Sequence, residues 1–319
     1  MKKRNPVFIV AAFAAFLILS FSIPVFGQVN LNNVLRYAHV ANGAQGNGTY
    51  VTTLLVSNPN NFLVHAVIDS FDDASPINSL NIGFTTDCPL TVDATTGQTT
   101  VFAIAPFSAC RLRSAGTGQL KTGWIRIFET DSSGNIGTDL IGGYLTFTFF
   151  QGAPIIGVPI FTVGVSPTPI FSQFSLPVVR DAATNLDIGF AMSNPFDQTG
   201  GPIVMTADLV NAAGTQIDQH VFTMDQFSHV ALFLSQLFPN TLGTVNNFVG
   251  NLIVFGQQST GDGAVATALL QQGGQFGGAP PNIDILLQAK SAGKAGRQEA
   301  AGSTRPHEQI KSAVMSPMF

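Results

Sequence analysis

Tyr50-Val-Thr-Thr-Leu-Leu-Val-Ser-Asn-Pro59 and Leu186-Asp-Ile-Gly-Phe-Ala-Met-Ser-Asn-Pro195 are the two stretches whose comparison decides the fold. Each is an apolar, partly β-branched run that stops at the same Ser-Asn-Pro turn, at an offset of 136 residues. Pro106-Phe107-Ser108 and Gln226-Phe227-Ser228 follow in the same order, and then Gly123-Trp-Ile-Arg-Ile-Phe128 and Gly250-Asn-Leu-Ile-Val-Phe255. The order is kept while the offset moves from 136 to 120 to 127, as expected of two copies of one domain with loop insertions. Between its Ser-Asn-Pro and its Phe-Ser the first copy is 16 residues longer.

Within each copy, short strands alternate with turn chemistry. The first copy predicts strands over 34–41, 49–57, 62–71, 99–105, 108–114, 120–129 and 139–150. The second predicts them over 170–178, 186–193, 202–210, 216–223, 227–233, 248–256 and 263–270. Asp131-Ser-Ser-Gly-Asn135 and Asn211-Ala-Ala-Gly-Thr215 read as connections between strands, and Leu232–Phe238 as one or two helical turns stopped by Pro239. Seven strands per copy at this spacing is a sandwich signature. The expected fold is all-β: two tandem Ig-like antiparallel β-sandwich domains, 28–156 and 170–288. Residues 157–169, with Pro159, Pro167 and Pro169, are the expected linker.

Composition points the same way. The chain has 319 residues, 45% hydrophobic and only 10% charged, enough apolar surface for packed cores over most of its length. Residues 28–288 hold 6 basic and 16 acidic side chains, a balance of −10, and Glu129 and Lys121 are the only Glu and Lys among them. Glu and Lys dress the solvent face of helices, so a body poor in both and rich in Phe, Val, Ile and Thr is a β protein. An acidic body also disfavours nucleic acid or anionic lipid as partner. The tail 289–319 is rich in Ala, Gly and Ser, carries five basic and two acidic residues, and is expected to be disordered.

The N-terminus reads Met1-Lys-Lys-Arg4, an uncharged run from Val7 to Phe26, then Gly27-Gln28. A basic start, an apolar core and small residues before the exit form a signal peptide, 1–27, cut after Gly27. The competing reading is an uncleaved anchor, since 20 apolar residues can span a bilayer. The expected destination is outside the cell or on its surface, with the periplasm as an alternative, and no integral membrane association after cleavage. Both cysteines, Cys88 and Cys110, lie in the exported part, where a pair is normally oxidised. Closing that loop of about 22 residues stabilises by roughly 3 kcal/mol. Cys88 sits in the extra stretch of the first copy, so the bond pins an insertion to its own domain.

Gly48-Thr-Tyr-Val-Thr-Thr-Leu-Leu-Val-Ser-Asn-Pro59, Ser114-Ala-Gly-Thr-Gly-Gln-Leu-Lys-Thr-Gly-Trp124 and Leu234-Ser-Gln-Leu-Phe-Pro239 resemble a secreted bacterial repeat module of uncharacterised function. Modules of this kind look like Ig-like sandwiches found in pairs behind a signal peptide in environmental bacteria. The resemblance covers roughly residues 36–272. It implies fold and export, and no catalytic residues.

The residues carry little recognisable chemistry. There is no G-x-S-x-G elbow, H-E-x-x-H or G-x-x-x-x-G-K, and no cofactor is implied. The histidines are His39, His65, His220, His229 and His307. His220 and His229, in neighbouring predicted strands with Asp218 and Asp225 nearby, offer a metal site only if three or four groups converge, which strand alternation does not force. Asp72 and Asp73 are the tightest acidic pair, but neighbours on a strand point to opposite faces, so a strand end is the better reading. Asp131, Ser133, Asn135 and Asp139 have the oxygen-rich spacing of a calcium loop, with Ile136 where the sharp turn needs glycine. Trp124 borders an apolar run and reads as core. The expected function is therefore non-enzymatic: an exported structural or adhesive protein acting through β-sandwich surfaces and strand edges, by self-association or on another cell-surface protein. The alternative is a module binding carbohydrate or a surface polymer through loops at one end of a sandwich. Gln28–Ala41, extended and partly apolar, is expected to pair inside its own domain, with donation to a neighbouring chain as the alternative.

Overall fold

A computed structural model describes residues 31–72, 80, 82–89, 99–131, 135–152, 157–196, 201–257, 263–273 and 275–279. Seventeen strands and one short helix are named in it. The first half carries β1 (Val34–Gln45), β2 (Gly48–Ser57), β3 (Val64–Asp72), β4 (Phe84–Thr86), β5 (Thr99–Ile104), β6 (Ala109–Ser114), β7 (Lys121–Thr130), β8 (Gly142–Gln151) and β9 (Val158–Val165). The second carries β10 (Gln173–Asp181), β11 (Asp187–Ser193), β12 (Ile203–Asn211), β13 (Gln216–Met224), β14 (His229–Phe233), α1 (Leu234–Leu237), β15 (Asn247–Gly256), β16 (Val265–Gln272) and β17 (Gln275–Ala279). The fold is all-β, and every strand pairing is antiparallel.

In the first half a continuous ladder folds into two layers. Sheet I runs β1-β7-β3-β5, and sheet II runs β4-β6-β2-β8-β9. They join where the end of β1 turns into β2 through Gly46, whose φ of 57° suits glycine. Leu35, Ile68, Phe102 and Ile127 of sheet I meet Leu54, Leu112, Leu145 and Val163 of sheet II in one core. In the second half, sheet III runs β10-β15-β12-β13 and sheet IV runs β14-β11-β16-β17. Phe174, Met205 and Leu252 of sheet III meet Phe190, Met192 and Ala266 of sheet IV, and α1 closes one end with Leu234 and Leu237. Taken in chain order, sheet III repeats sheet I, and sheet IV repeats β6-β2-β8-β9 of sheet II. β4 is the additional strand, and it belongs to the longer stretch of the first half.

The two sequence motifs explain why the halves turn alike. Asn58, 1% exposed, donates through Nδ2 to the carbonyls of Ile104 and Phe62, and its Oδ1 accepts from the Asn60 amide. Asn194, buried in the same way, donates to the carbonyls of Met224 and Gly201 and accepts from the Phe196 amide. Each amide of the pair also reaches across to the Phe-Ser turn, at Ser108 and Ser228. In that turn Phe107 and Phe227 have φ of 52° and 57°, and the serine hydroxyl donates back to Ala105 and Asp225 respectively. A bulky residue in the left-handed region is an outlier that the surrounding hydrogen bonds must hold in place.

Two readings of the sequence are corrected. The stretch 157–169 is not a bare linker, because β9 lies within it and pairs with β8. Pro159 is tolerated there because β9 is the last strand of its sheet and pairs at a register shift between Phe149 and Phe150. β13 and β14, which carry His220 and His229, are not neighbours but edges of different sheets. The expected pairing of Gln28–Ala41 inside its own domain holds from Val34 onward, since β1 is hydrogen-bonded to β7 and β2 of its own half. The signal segment 1–27 and the tail 289–319 lie outside the described residues, and no helix among the described residues is long and apolar enough to cross a membrane.

Candidate binding surfaces

Sheet IV is covered on both faces. Phe190 and Met192 point into the core of the second half, while Leu269 on the opposite face joins the core cluster of the first half. A seam results, and its chemistry is specific. His39 Nδ1 on β1 lies 3.1 Å from His229 Nε2 on β14, with the rings stacked at 21° and both residues buried. One ring nitrogen donates and the other accepts, so the contact needs a neutral partner. Burial pushes His229 down to about 3, against a smaller opposing effect from the backbone of Ala38. Thr168 ties the connection between halves to both, its amide to the Arg36 carbonyl and its hydroxyl to that of Ala266.

At the other end of the seam Trp124, fully buried, donates from Nε1 to the Phe227 carbonyl at 2.8 Å. Phe227 stacks on Phe71 at 4.6 Å between centroids, and Phe71 stacks on Trp124 at 4.4 Å. The Arg126 guanidinium lies 5.5 Å from both phenylalanine rings and is held by Asp69 at 2.7 Å. The expectation of a buried tryptophan holds, but its indole serves the seam between halves. His229, which the sequence grouped with His220, meets His39 instead, 190 residues away.

The outer face of sheet II is open where the matching face of sheet IV is closed. Leu55 on β2 stands between Arg111 on β6 and Tyr144 on β8, and Thr53 stands between Arg113 and Thr146. Tyr144 is 53% exposed. Arg113 lies over the Phe150 ring, and Arg111 pairs loosely with Asp87 at 3.7 Å. Beside them Thr85, Thr86, Asp87, Arg111 and Arg113 line an open depression of about 210 Å³. The edge of this sheet is stapled: Cys88, just after β4, is bonded to Cys110 on β6, with Cα atoms 5.5 Å apart.

The remaining expected sites are scattered. In the 131–139 loop, Asp131 Oδ1 accepts from the Asn135 amide, and Asp139 donates its amide to Glu129. Burial raises the Glu129 carboxyl above its usual range, with the Asp139 and Asp131 charges adding to the effect. Ser133 lies outside the described residues, and no group of three or more His, Cys, Asp or Glu positioned for a metal occurs among those described. Asp72 ends β3, and Asp73 lies outside the described residues. No family model, curated protein or solved structure matches the chain.

Proposed function

We propose that the protein is a non-enzymatic, exported structural or adhesive protein whose two halves are copies of one Ig-like module, acting through sandwich surfaces and strand edges. The observation that carries this reading is the set of large apolar side chains presented on a hydrogen-bonded β framework. Phe107 is 74% exposed at a turn tip, and Val249 (64%) and Val221 (53%) stand on sheet III. Isolated exposed side chains are ordinary, but apolar groups held on rigid strands are what an assembling surface is made of. Export follows from the 1–27 segment and is supported by the Cys88–Cys110 bond. The test is to recover the protein from a secreting host and determine its location and N-terminus by fractionation and mass spectrometry. Mature chains beginning at Gln28, outside the cell or on its surface, support the reading; chains retained inside with Met1 intact overturn export.

A second reading, binding of carbohydrate or a surface polymer, is favoured by Tyr144, the exposed one among the described Tyr and Trp side chains, beside Arg111 and Arg113. Retardation of the protein in gels containing acidic polysaccharide, lost in Tyr144→Ala, supports it. Equal migration with and without polymer sinks it.

A further inference from the structure

The seam holds a pattern that the chain uses once and presents again. Phe227, in its left-handed turn, leaves the second half and lies on the first, on a platform made by the cross-strand pair Phe71 and Trp124. Phe107 occupies the same turn of the first half, with the same φ and the same serine bond, and faces solvent. The knob is therefore built twice and seated once within the chain.

The platform has a counterpart too. Gly123, next to Trp124, passes so close to the Phe71 carbonyl that a Cβ would collide with it, and Gly250 stands in the same relation to the Val210 carbonyl. This fixes the correspondence: the pair Val210 and Asn251 occupies the place of Phe71 and Trp124. Around it lie Pro177, opposite Asn251, and Val179, opposite the exposed Val249. None of these five side chains is charged, and the nearest ions on that face, Asp208 and Asp181, stand one same-face position further along β12 and β10.

We infer that the chain assembles head to tail, Phe107 of one molecule seating on the Val210–Asn251–Val249 patch of a second copy as Phe227 seats on Phe71 and Trp124 within the chain. The inference rests on the proposed self-associating role and specifies its geometry. Because knob and patch are different surfaces, the contact is heterologous and propagates into open filaments instead of closing as a dimer. It is also narrower than the seam. Arg111 and Arg113 stand where sheet IV has Ala231 and Phe233, so the rest of that face does not dock closely, and association is weak and concentration-dependent.

The test is sedimentation velocity on the purified chain over a wide concentration range, with Phe107→Ser and Val249→Asp. Both positions are solvent-exposed, and an unchanged thermal melt checks that the variants fold. The wild type is expected to grow past the dimer with concentration, and each variant to associate at least roughly thirty-fold more weakly, the factor for losing about 2 kcal/mol of apolar burial. A mixture of the two variants is expected to form dimers and stop, because one retains a patch and the other a knob. A Phe107→Ser chain that assembles like wild type overturns the head-to-tail contact while leaving self-association standing. Variants that are monomeric alone and when mixed point to an isologous contact and also overturn it. A wild type that stays monomeric throughout overturns both the contact and the self-association it rests on.

Discussion

Acidification should open the seam before it unfolds the sandwiches. His229 is neutral when buried against His39, at about 3 against the ordinary 6.5. An unfolded chain takes up this proton near pH 6.5 and the folded chain does not, so the stabilisation is complete above that pH and drains away as the pH falls toward 3. The slope is roughly 1.4 kcal/mol per pH unit inside the window. Between about pH 7.5 and 4.5 this one group removes roughly 2.5 kcal/mol, a large fraction of the usual stability of a domain. Glu129 acts in the opposite sense, because a carboxyl whose folded value is raised favours the folded form as pH falls.

The chain supplies its own probe. Trp124 is the single tryptophan, stacked on Phe71 and bonded to the Phe227 carbonyl across the seam. Urea titrations followed by its emission, repeated at several pH values, read the seam directly. Secondary structure followed by circular dichroism reads the sheets. His229→Gln keeps a neutral hydrogen-bonding group beside His39 and removes the titration. Its pH slope below 6.5 is expected to be shallower than wild type by roughly 1.4 kcal/mol per unit, since all the carboxylates remain common to both. Identical slopes in the two proteins would refute the reasoning, as would a tryptophan signal that never precedes the loss of sheet.

Two further outcomes are specific. Replacing Cys88 and Cys110 together by serine frees an unfolded loop of 22 residues and is expected to cost about 3 kcal/mol in denaturant unfolding; an unchanged midpoint would remove the staple from the account. The Tyr37 hydroxyl is buried without a hydrogen-bond partner, and its burial drives the phenol far above its ordinary range. Tyr37→Phe is therefore expected to stabilise by about 1 kcal/mol, read as a raised melting temperature, because a desolvated and unpaired hydroxyl is removed.

The strands were legible where alternation and turn chemistry coincide. β3, β7 and β12 were each placed to within two residues, because one face of each is apolar and the ends are marked by Gly, Asp or Asn. β4, β9 and β17 escaped for different reasons. β4 has three residues, too few to show a period. β9 was hidden by Pro159, and β17 by the glycines in its Gln-Phe-Gly-Gly-Ala sequence. The seam was invisible because its partners lie 103 and 190 residues apart. One local signal did exist: beyond Asp187, which is held by Arg180 and Ser235, Gly189, Ala191 and Ser193 leave the second face of β11 small, and all seven of its residues are buried. A strand with large apolar residues on one face and small ones on the other is suited to being covered on both sides.

The same comparison explains why the halves are not interchangeable. In one register row, Arg111–Leu55–Tyr144 of sheet II corresponds to Ala231–Ala191–Thr267 of sheet IV, and in the next, Arg113–Thr53–Thr146 corresponds to Phe233–Gly189–Leu269. Every side chain in the rows of sheet IV is uncharged, with Ala191, Ala231 and Gly189 giving room for Phe233 and Leu269; two guanidinium groups and a tyrosine stand where the face remains open. Pressing the face of sheet II into a seam would strip water from Arg111 and Arg113, and an ion buried without a matching partner costs several kcal/mol. Only the second half can therefore dock flat upon a predecessor. What the first half retains of that docking apparatus is Phe107, 74% exposed at the tip of its turn, and a contact confined to that one ring does not require the face carrying Arg111 and Arg113 to be buried.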